Sequence, residues 1–266
     1  MAKTESGKNM KEAVIGIIGG TGGMGRWFAD LLQKEGCTVH IWGRKSPMSI
    51  NDLVDLCNVI VISVPISATA EMIKKVGPLL GPDKLLMDLT SLKKEPVELM
   101  LAHSQADVVG CHPLFGPLLE DVKGQNVVLC PARGKKWFVW LKAILNKNGL
   151  IVTEKTPEEH DEMMAIVQVL NHLNTISLGL VLAEAGIDFV EVSKFSTPIF
   201  HKKVEIIKKV FTENPGLYTD IITHNPSTEK MIDLYAKILA DIRSTIKWGD
   251  GSRLKETIEN AAKKLF

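Results

Sequence analysis

Two short segments gather side chains that could carry out acid–base chemistry. Residues 88–93 read Asp-Leu-Thr-Ser-Leu-Lys, which brings two hydroxyls and a lysine close to a carboxylate. Residues 111–117 read Cys-His-Pro-Leu-Phe-Gly-Pro, in which the prolines make a rigid mount for His112. Histidine titrates near neutral pH and therefore suits proton transfer. By residue type alone, His112 fits a proton acceptor and a structural residue equally well.

A glycine-rich loop lies upstream of both segments. Residues 20–25 follow the pattern Gly-x-Gly-x-x-Gly, directly after the apolar run 13–18 and at the start of a helical pattern. Such a loop turns tightly and lets the backbone approach a pyrophosphate, which the N–H groups at the helix N-terminus then bind. This context favours a cofactor loop over a flexible surface turn. We predict that a nicotinamide dinucleotide binds to Gly20, Thr21, Gly22, Gly23, Met24 and Gly25.

The end of the second predicted strand indicates which dinucleotide is used. NAD enzymes place an Asp or Glu here to accept from the ribose 2′-hydroxyl, whereas an arginine accommodates the 2′-phosphate of NADP. The sequence here is Gly43-Arg44-Lys45-Ser46, with two cations, a hydroxyl and no carboxylate. A guanidinium can bind a phosphate through two hydrogen bonds. We predict that Arg44, Lys45 and Ser46 favour NADP; use of NAD and a merely solvated basic turn are the alternatives.

The first half of the chain alternates apolar, β-branched runs with helical patterns, as repeated βαβ units do. The runs are continuously apolar, which suits strands of a parallel sheet buried on both faces. The predicted strands are 13–18, 37–42, 59–63, 84–88, 108–111, 126–130 and 150–153. Both chemistry-bearing segments therefore follow strands, at the carboxyl ends where open α/β sheets bind ligands.

Strand patterns end near residue 153. Thr156-Pro157-Glu158-Glu159 then opens a helix with a threonine N-cap, a proline at the first position and a glutamate at the third. Further helices follow, with breaks near 214–216 and 225–226. We predict an α/β fold in which a disordered tail (1–11) precedes a Rossmann-type parallel-sheet domain (12–155) and an all-helical dimerisation domain (156–266).

The first helix of the second half is predicted to run to about residue 185 and is mostly apolar. Gln168, Asn171, His172 and Asn174 interrupt its apolar stretch, which favours a buried helix over a membrane span. One small domain cannot cover so much apolar surface alone. We therefore expect a homodimer with these helices at its interface.

The overall composition is that of an ordinary globular protein, with 45% hydrophobic residues, 24% charged residues and a net charge of +1. Such a charge gives no reason to expect a nucleic-acid or membrane partner. The four cysteines are far apart in the sequence, without metal-ligand spacing, and are predicted to be buried thiols in a reducing compartment. No signal-peptide pattern is present, so we expect a soluble, cytoplasmic protein.

Several motifs resemble those of the prephenate/arogenate dehydrogenase family. In the first half they are Gly-Gly-x-Gly-x-Met-Gly-Arg at 19–26, Ser63-Val64-Pro65-Ile66, the segment 88–93 and His112-Pro-x-Phe-Gly-Pro117. In the second half they are Glu159-His160-Asp161, Gln168, His172, Ser196-x-Pro198-Ile199 and Asn214-Pro-x-Leu-Tyr218-x-Asp220-Ile221. The likeness covers nearly the whole chain after the tail. It is nearest to the dehydrogenase portion of bifunctional chorismate mutase–prephenate dehydrogenases, with no segment left over for a mutase domain.

The resemblance implies an NAD(P)-dependent oxidative decarboxylation of prephenate to 4-hydroxyphenylpyruvate in tyrosine biosynthesis. It implies that His112 accepts the proton of the ring hydroxyl and that Ser91 orients this pair. Pro65 would lie beside the cofactor, and Lys93 beside the cofactor or the substrate pocket. His172 is expected to line the substrate pocket, whereas His160, in a first helical turn, is expected to serve the helix end.

The sequence departs from the family where a substrate carboxylate is bound. The family arginine on the helix after Ile199 is matched here by Lys209, and a second family arginine by His201. Lysine lacks the planar fork of arginine. Three explanations stay open: Lys209 binds the carboxylate less strictly, a neighbouring lysine (202, 203 or 208) replaces it, or the substrate is arogenate. These lysines could also form a solvated face.

Two rival interpretations are compatible with a Rossmann half followed by a helical half. Other two-domain NADP oxidoreductases, such as β-hydroxyacid dehydrogenases and imine reductases, share a Rossmann half and a helical half but lack His-Pro-x-Phe-Gly-Pro as a signature. A non-catalytic, NADP-sensing dimer is a different class. It would need neither His112 nor Ser91 at a strand end.

Overall fold

The computed structural model describes residues 13–246 and 249–266, so the predicted tail (1–11) lies outside the described residues. The first half forms one seven-stranded sheet in the order β2-β1-β3-β4-β5-β6-β7. Its strands are β1 (Val14–Ile18), β2 (Thr38–Trp42), β3 (Val59–Ile62), β4 (Leu85–Asp88), β5 (Asp107–Pro113), β6 (Asn126–Arg133) and β7 (Ile151–Glu154). All seven predicted strands are present. The α/β class with a Rossmann-type sheet is confirmed.

Helices cover both faces of this sheet. They are α1 (Gly23–Lys34), α2 (Ile50–Leu56), α3 (Ile66–Val76), α4 (Lys94–His103) and α5 (Lys136–Lys147), with a short 3₁₀ turn at Gly77–Leu79. One apolar layer packs α1 and α5 against the sheet, and the other packs α2, α3 and α4. Strands β3 and β4 are buried at every residue, which is why their sequences are continuously apolar up to Asp88.

The sheet differs from the predicted all-parallel arrangement at one pair. Strands β1 to β5 are parallel to one another, and β6 is parallel to β7, but β5 and β6 are antiparallel. Residues 114–125 join β5 to β6 without a helix. A parallel return requires a crossover of a dozen or more residues, usually a helix, so the chain folds back beside β5 instead.

The second half is helical. Its helices are α6 (Pro157–Met164), α7 (Asn171–Glu184), α8 (Phe189–Lys194), α9 (Pro198–Thr212), α10 (Pro215–His224), α11 (Thr228–Thr245) and α12 (Ser252–Leu265). A π-helical turn, Ala165–Leu170, joins α6 to α7 without a break. The predicted capping box is present, because the Thr156 hydroxyl accepts from the Glu159 N–H while the Glu159 carboxylate accepts from the Thr156 N–H.

Within one chain the long apolar helix is largely exposed, so the expected burial would have to come from a second copy. Pro157–Glu184 has the length and apolar composition of a membrane-spanning helix, but core helices of soluble proteins often have both as well. Only 22% of its most apolar stretch is buried. Ile166, Val167, Leu180 and Val181 are each half exposed or more. Its polar residues Gln168 and His172 face the cleft described below. The exposed apolar face agrees with the reasoning that led to the expected homodimer.

Candidate active site

A cleft of about 520 Å³ lies along the carboxyl edge of the sheet, and helices of the second half form its other wall. From β1 the chain first adds β2 on one side of the sheet and then crosses over to add β3 on the other side. Open α/β sheets bind ligands at such a switch point. The sheet side of the cleft is formed by the glycine loop and by the segments that follow β3, β4 and β5. The helical side is formed by the π-helical turn, α7 and α10.

The glycine loop has the shape that a pyrophosphate requires. Helix α1 begins at Gly23, and no side chain in the described part of the chain caps its N-terminus. A Cβ atom on Gly25 would lie 2.7 Å from the carbonyl oxygen of Gly19, so only glycine allows this close packing of the helix on the turn. The open N–H groups and the positive end of the helix dipole suit an anionic ligand. The residues present therefore fit a dinucleotide cofactor.

His112 lies at the end of β5 and is almost fully buried at the inner wall of the cleft. Its Nδ1 atom is 2.9 Å from Nε2 of His160, and its Nε2 atom is 3.4 Å from Nε2 of Gln168. Burial, with smaller contributions from His160 and Lys93, holds the pKa of His112 well below its ordinary value. A neutral imidazole is the form that can accept a proton.

His160 is the residue that the sequence interpretation misplaced. Its ring is buried and contacts His112, and its Nδ1 atom is 2.7 Å from Oδ1 of Asp161. Burial lowers the pKa of His160, and the hydrogen bond to Asp161 opposes this. The Glu159-His160-Asp161 motif was visible in the sequence. Its contact partner lies 48 residues away, so spacing along the helix indicated only a helix-end role.

Lys93 does not reach the cleft, contrary to the prediction that it lies beside the cofactor or the substrate. Its side chain is fully buried in an ion pair with Asp88. Oδ2 of Asp88 also accepts from the hydroxyl and from the N–H group of Thr90. An isolated ammonium is costly to bury, which explains the close pairing. Ser91, in the same segment, lines the cleft, but among the described residues no hydrogen bond joins it to His112.

The helical wall contributes four polar residues to the cleft: Gln168, His172, Asn214 and Tyr218. Gln168 is placed by the π-helical turn, an irregularity that is frequent at functional sites. Its Oε1 atom is buried, and it has no hydrogen-bond partner among residues 13–246 and 249–266. His172 lines the cleft as expected from the sequence, packs edge-on against the ring of Tyr218 at 4.8 Å, and has its pKa lowered by burial. Tyr218 belongs to the Asn214-to-Ile221 motif.

A second concavity adjoins the end of β2. It is lined by Thr21 and Ile41 and by the turn 43–46. The N–H group of Ser46 donates to the carbonyl of Gly43, which closes this turn. Arg44 and Lys45 are exposed, and within 13–246 and 249–266 neither forms a salt bridge. Pro65, the N-cap of α3, lines the main cleft.

The two predicted carboxylate-binding residues lie outside the cleft of their own chain. Lys209 is exposed on α9, and His201 is exposed near the start of that helix, 3.3 Å from Glu205. Neither residue lines the cleft, and its described walls contain no lysine or arginine. Helix α9 packs with one side on α7 and α10, and these two residues lie on its exposed side. The described residues also contain no cluster of side chains suited to a metal ion.

The fold and the cleft place the chain among two-domain dinucleotide-binding proteins. The family description "prephenate dehydrogenase, nucleotide-binding domain" matches residues 29–154, and "prephenate dehydrogenase, dimerization domain" matches residues 156–260. The chain belongs to the prephenate dehydrogenase family.

Individual relatives agree with this placement. A "probable arogenate/prephenate dehydrogenase" of Methanocaldococcus jannaschii is 34% identical over 94% of this chain and 60% of its own length. A "T-protein" of Enterobacter agglomerans is 32% identical over 88% of this chain and 62% of its own. The chain thus spans about three fifths of these relatives. The structure of prephenate dehydrogenase from A. aeolicus with hydroxyphenyl propionate and NAD+ has the same fold, with a TM-score of 0.78, 23% identity and coverage of 95% and 96% of the two chains.

Proposed function

We propose that this chain is an NADP-dependent prephenate dehydrogenase in which His112 is the proton acceptor. The observation that carries the proposal is a buried histidine with its pKa held below its ordinary value, in the same cleft as the glycine loop. A nicotinamide, when bound, supplies the hydride acceptor. Family membership favours prephenate or arogenate as the hydride donor.

The residues of the cleft account for the proton transfer. Nε2 of His112 accepts the proton of the substrate's ring hydroxyl as the adjacent C–H bond gives up its hydride, which leaves a carbonyl. The ring carboxylate is then lost as carbon dioxide, the bonding electrons aromatise the ring, and the former carbonyl oxygen becomes a phenol by taking back a proton from His112. Ser91 lies on the cleft wall, where its hydroxyl can orient the substrate oxygen toward His112. The apolar residues Leu89, Phe115 and Ile221 also line this cleft.

The preference for NADP rests on the turn after β2. Its concavity is lined by Arg44, Lys45 and Ser46, and it adjoins the glycine loop at Thr21. A 2′-phosphate bound there would receive charge-assisted hydrogen bonds. A carboxylate, which NAD enzymes use for the ribose hydroxyl, is missing from residues 43–46.

The carboxylates of the substrate need cations that the described cleft walls do not supply. We keep Lys209 as the first candidate and Lys202, Lys203 and Lys208 as its alternatives, because a second copy of the chain can place an exposed α9 face near a cleft. Arogenate carries an amine in place of the ketone of prephenate and remains the alternative substrate. An unchanged KM for prephenate in Lys209→Ala would remove Lys209 from this role.

We further propose that each chain has two domains with their boundary near residue 155, that two chains form a homodimer, and that the protein acts in the cytoplasm. The apolar face of Pro157–Glu184 is exposed in one chain, and no residue of α11 or α12 is buried. A dimer that covers these helices would remove this apolar surface from water. A monomer in sedimentation at micromolar concentration would contradict it.

One assay tests the proposed reaction directly. Prephenate and arogenate are each mixed with the protein and with NADP+ or NAD+, and reduced nicotinamide is followed by its absorbance. We expect turnover of prephenate with NADP+, and a loss of kcat on the order of 100-fold or more in His112→Asn with KM little changed. No turnover of either substrate would favour another NADP oxidoreductase or a sensing module. A His112→Asn variant that keeps most of its kcat would refute the role of His112.

A further inference from the structure

A chain of three buried side chains lies behind the cleft wall. Asp161, His160 and His112 are each at most 3% exposed, and consecutive members are hydrogen-bonded. Only His112 lines the cleft. His160 and Asp161 therefore cannot contact a substrate directly and can act only through His112.

The carboxylate of Asp161 is held as an acceptor of hydrogen bonds. Its Oδ1 atom accepts from the N–H of Lys93 at 2.8 Å, and its Oδ2 atom accepts from the N–H of Lys94 at 3.0 Å. These groups form the N-terminus of α4, whose dipole favours an anion there. The side chain of Asn225 donates to the main-chain carbonyl of Asp161 and fixes the backbone. An ionised carboxylate can only accept.

This acceptor determines where the proton of His160 lies. Nδ1 of His160 faces Oδ1 of Asp161 at 2.7 Å, so Nδ1 must carry a hydrogen and donate it. A neutral imidazole has one N–H group, which leaves Nε2 of His160 with a lone pair. Burial lowers the pKa of His160 and so favours this neutral form.

The same reasoning passes to His112. Its Nδ1 atom is 2.9 Å from the lone pair of His160 Nε2, so Nδ1 of His112 must donate. The opposite tautomer would bring two lone pairs together at this distance. We propose that Asp161 and His160 are positioning residues that hold His112 with its proton on Nδ1 and its Nε2 free to accept a proton from the cleft.

The inference rests on the proposed role of His112 as proton acceptor and explains how it is prepared. The proton from the substrate hydroxyl binds to Nε2 of His112, which becomes an imidazolium with hydrogens on both nitrogens. Its Nδ1–H continues to donate to His160, so no hydrogen bond in the chain is broken. The new positive charge is then one imidazole ring away from the Asp161 carboxylate, which stabilises it.

The test combines imidazole spectra with kinetics in His160→Leu and His160→Gln. Proton–nitrogen correlation spectra of the wild-type protein should place the His112 proton on Nδ1. Leucine removes the acceptor, so His112 should shift toward the Nε2-protonated tautomer and kcat should fall on the order of 100-fold with KM little changed. Glutamine can place an amide oxygen near the former Nε2 atom, so it should keep the wild-type tautomer and most of kcat. His103→Gln, at the other end of α4, is the control for histidine replacement and should match the wild type.

The outcomes separate this inference from the proposed function. If the wild-type spectrum places the His112 proton on Nε2, the inference is wrong whatever the activity. Loss of thermal stability in both His160 variants with unchanged kcat and tautomer would reveal a purely structural role and also overturn it. If neither prephenate nor arogenate is turned over, the proposed function fails, and the wild-type spectrum still decides the tautomer. Should His160→Leu not fold, the wild-type and glutamine spectra decide.

Discussion

The glycine loop and the histidine segment meet where Gly23 packs against the ring of Pro117. A Cβ atom built on Gly23 would lie 2.6 Å from Cγ of Pro117. Gly23 is the first residue of α1, and Pro117 ends the motif that begins at His112. The edge-on packing of Trp27 on Phe115, with ring centroids 4.9 Å apart, holds the same two segments together. The loop proposed to bind a pyrophosphate is thus braced against the segment that carries the proposed base.

Replacing Gly23 with alanine should disturb this brace. The added methyl group would push on Pro117, and overpacking of this kind costs about 1–3 kcal/mol. We expect Gly23→Ala to raise the KM for the dinucleotide about tenfold or more, since a change of about 1.4 kcal/mol is tenfold in affinity. Gly116→Ala is the matched control, because apart from its chain neighbours no described residue has an atom within 4 Å of its added Cβ. Equal cofactor KM values for the two variants would contradict the brace.

The buried ion pair of Asp88 and Lys93 makes a prediction about stability. Neither side chain has any exposed surface. Removing one partner of a buried pair leaves an uncompensated charge, at a typical cost of about 3–5 kcal/mol. Lys93→Met should therefore lower the free energy of unfolding by an amount in this range, measured by denaturant titration. The double variant Asp88→Asn/Lys93→Met should lose less than Lys93→Met alone. A larger loss in the double variant would contradict this account.

The fold was largely predictable because its signals are local. Continuous apolar runs gave the strands, and Thr156 with Glu159 gave the start of the helical half. The antiparallel return of β6 was missed because the sequence was read as a repeating βαβ pattern. The length of residues 114–125 without a helical pattern could have indicated it. The apolar excess of Pro157–Glu184 predicted that one chain cannot cover this helix, but composition alone could not show which of its faces stays exposed.

The site was predictable only in part because its decisive contacts are long-range. The sequence motifs selected His112, Ser91 and His172, and these three residues line one cleft. Lys93 is buried because the carboxylate of Asp88, five residues before it, points into the protein and pairs with it. Residue type alone does not reveal in which direction Asp88 points. The contact of His160 with His112 joins a helix to a strand end across 48 residues. No periodicity in the sequence encodes such a pairing.

Cofactor choice gives a prediction that concerns the exposed turn after β2. Arg44 is exposed beside Lys45 and Ser46, and a hydrogen bond to a charged group contributes about 1.5–3 kcal/mol. Arg44→Ala should lower kcat/KM with NADP+ by a factor on the order of 10–100 while leaving kcat/KM with NAD+ within a few-fold. Lys34→Ala, at the end of α1, is a control for loss of one positive charge. Equal losses with both dinucleotides would argue against a 2′-phosphate site at this turn.

The burial of His112 predicts how activity depends on pH. His112 must be neutral to accept a proton, and burial, His160 and Lys93 hold its pKa well below the ordinary 6.5. The acid limb of the kcat/KM profile should therefore lie below pH 6.5, with a flat profile from there to neutrality. The carboxylates of Asp161 and Asp88 raise the pKa of the neighbouring His160, and both are unchanged in the Gln168 variants.

Gln168→Glu should move this limb. The new carboxylate would lie near Nε2 of His112, where the amide nitrogen is now 3.4 Å away, and would favour the imidazolium. A facing opposite charge shifts a pKa by about 1–3 units, so the acid limb should move upward by this amount. Gln168→Met has a similar size and no charge, so its acid limb should stay within about half a unit of the wild type. The two profiles separate the effect of charge from that of the lost amide, because a loss of amide contacts would shift both variants alike. If Gln168→Glu keeps the wild-type limb, the group that titrates in the profile is not His112.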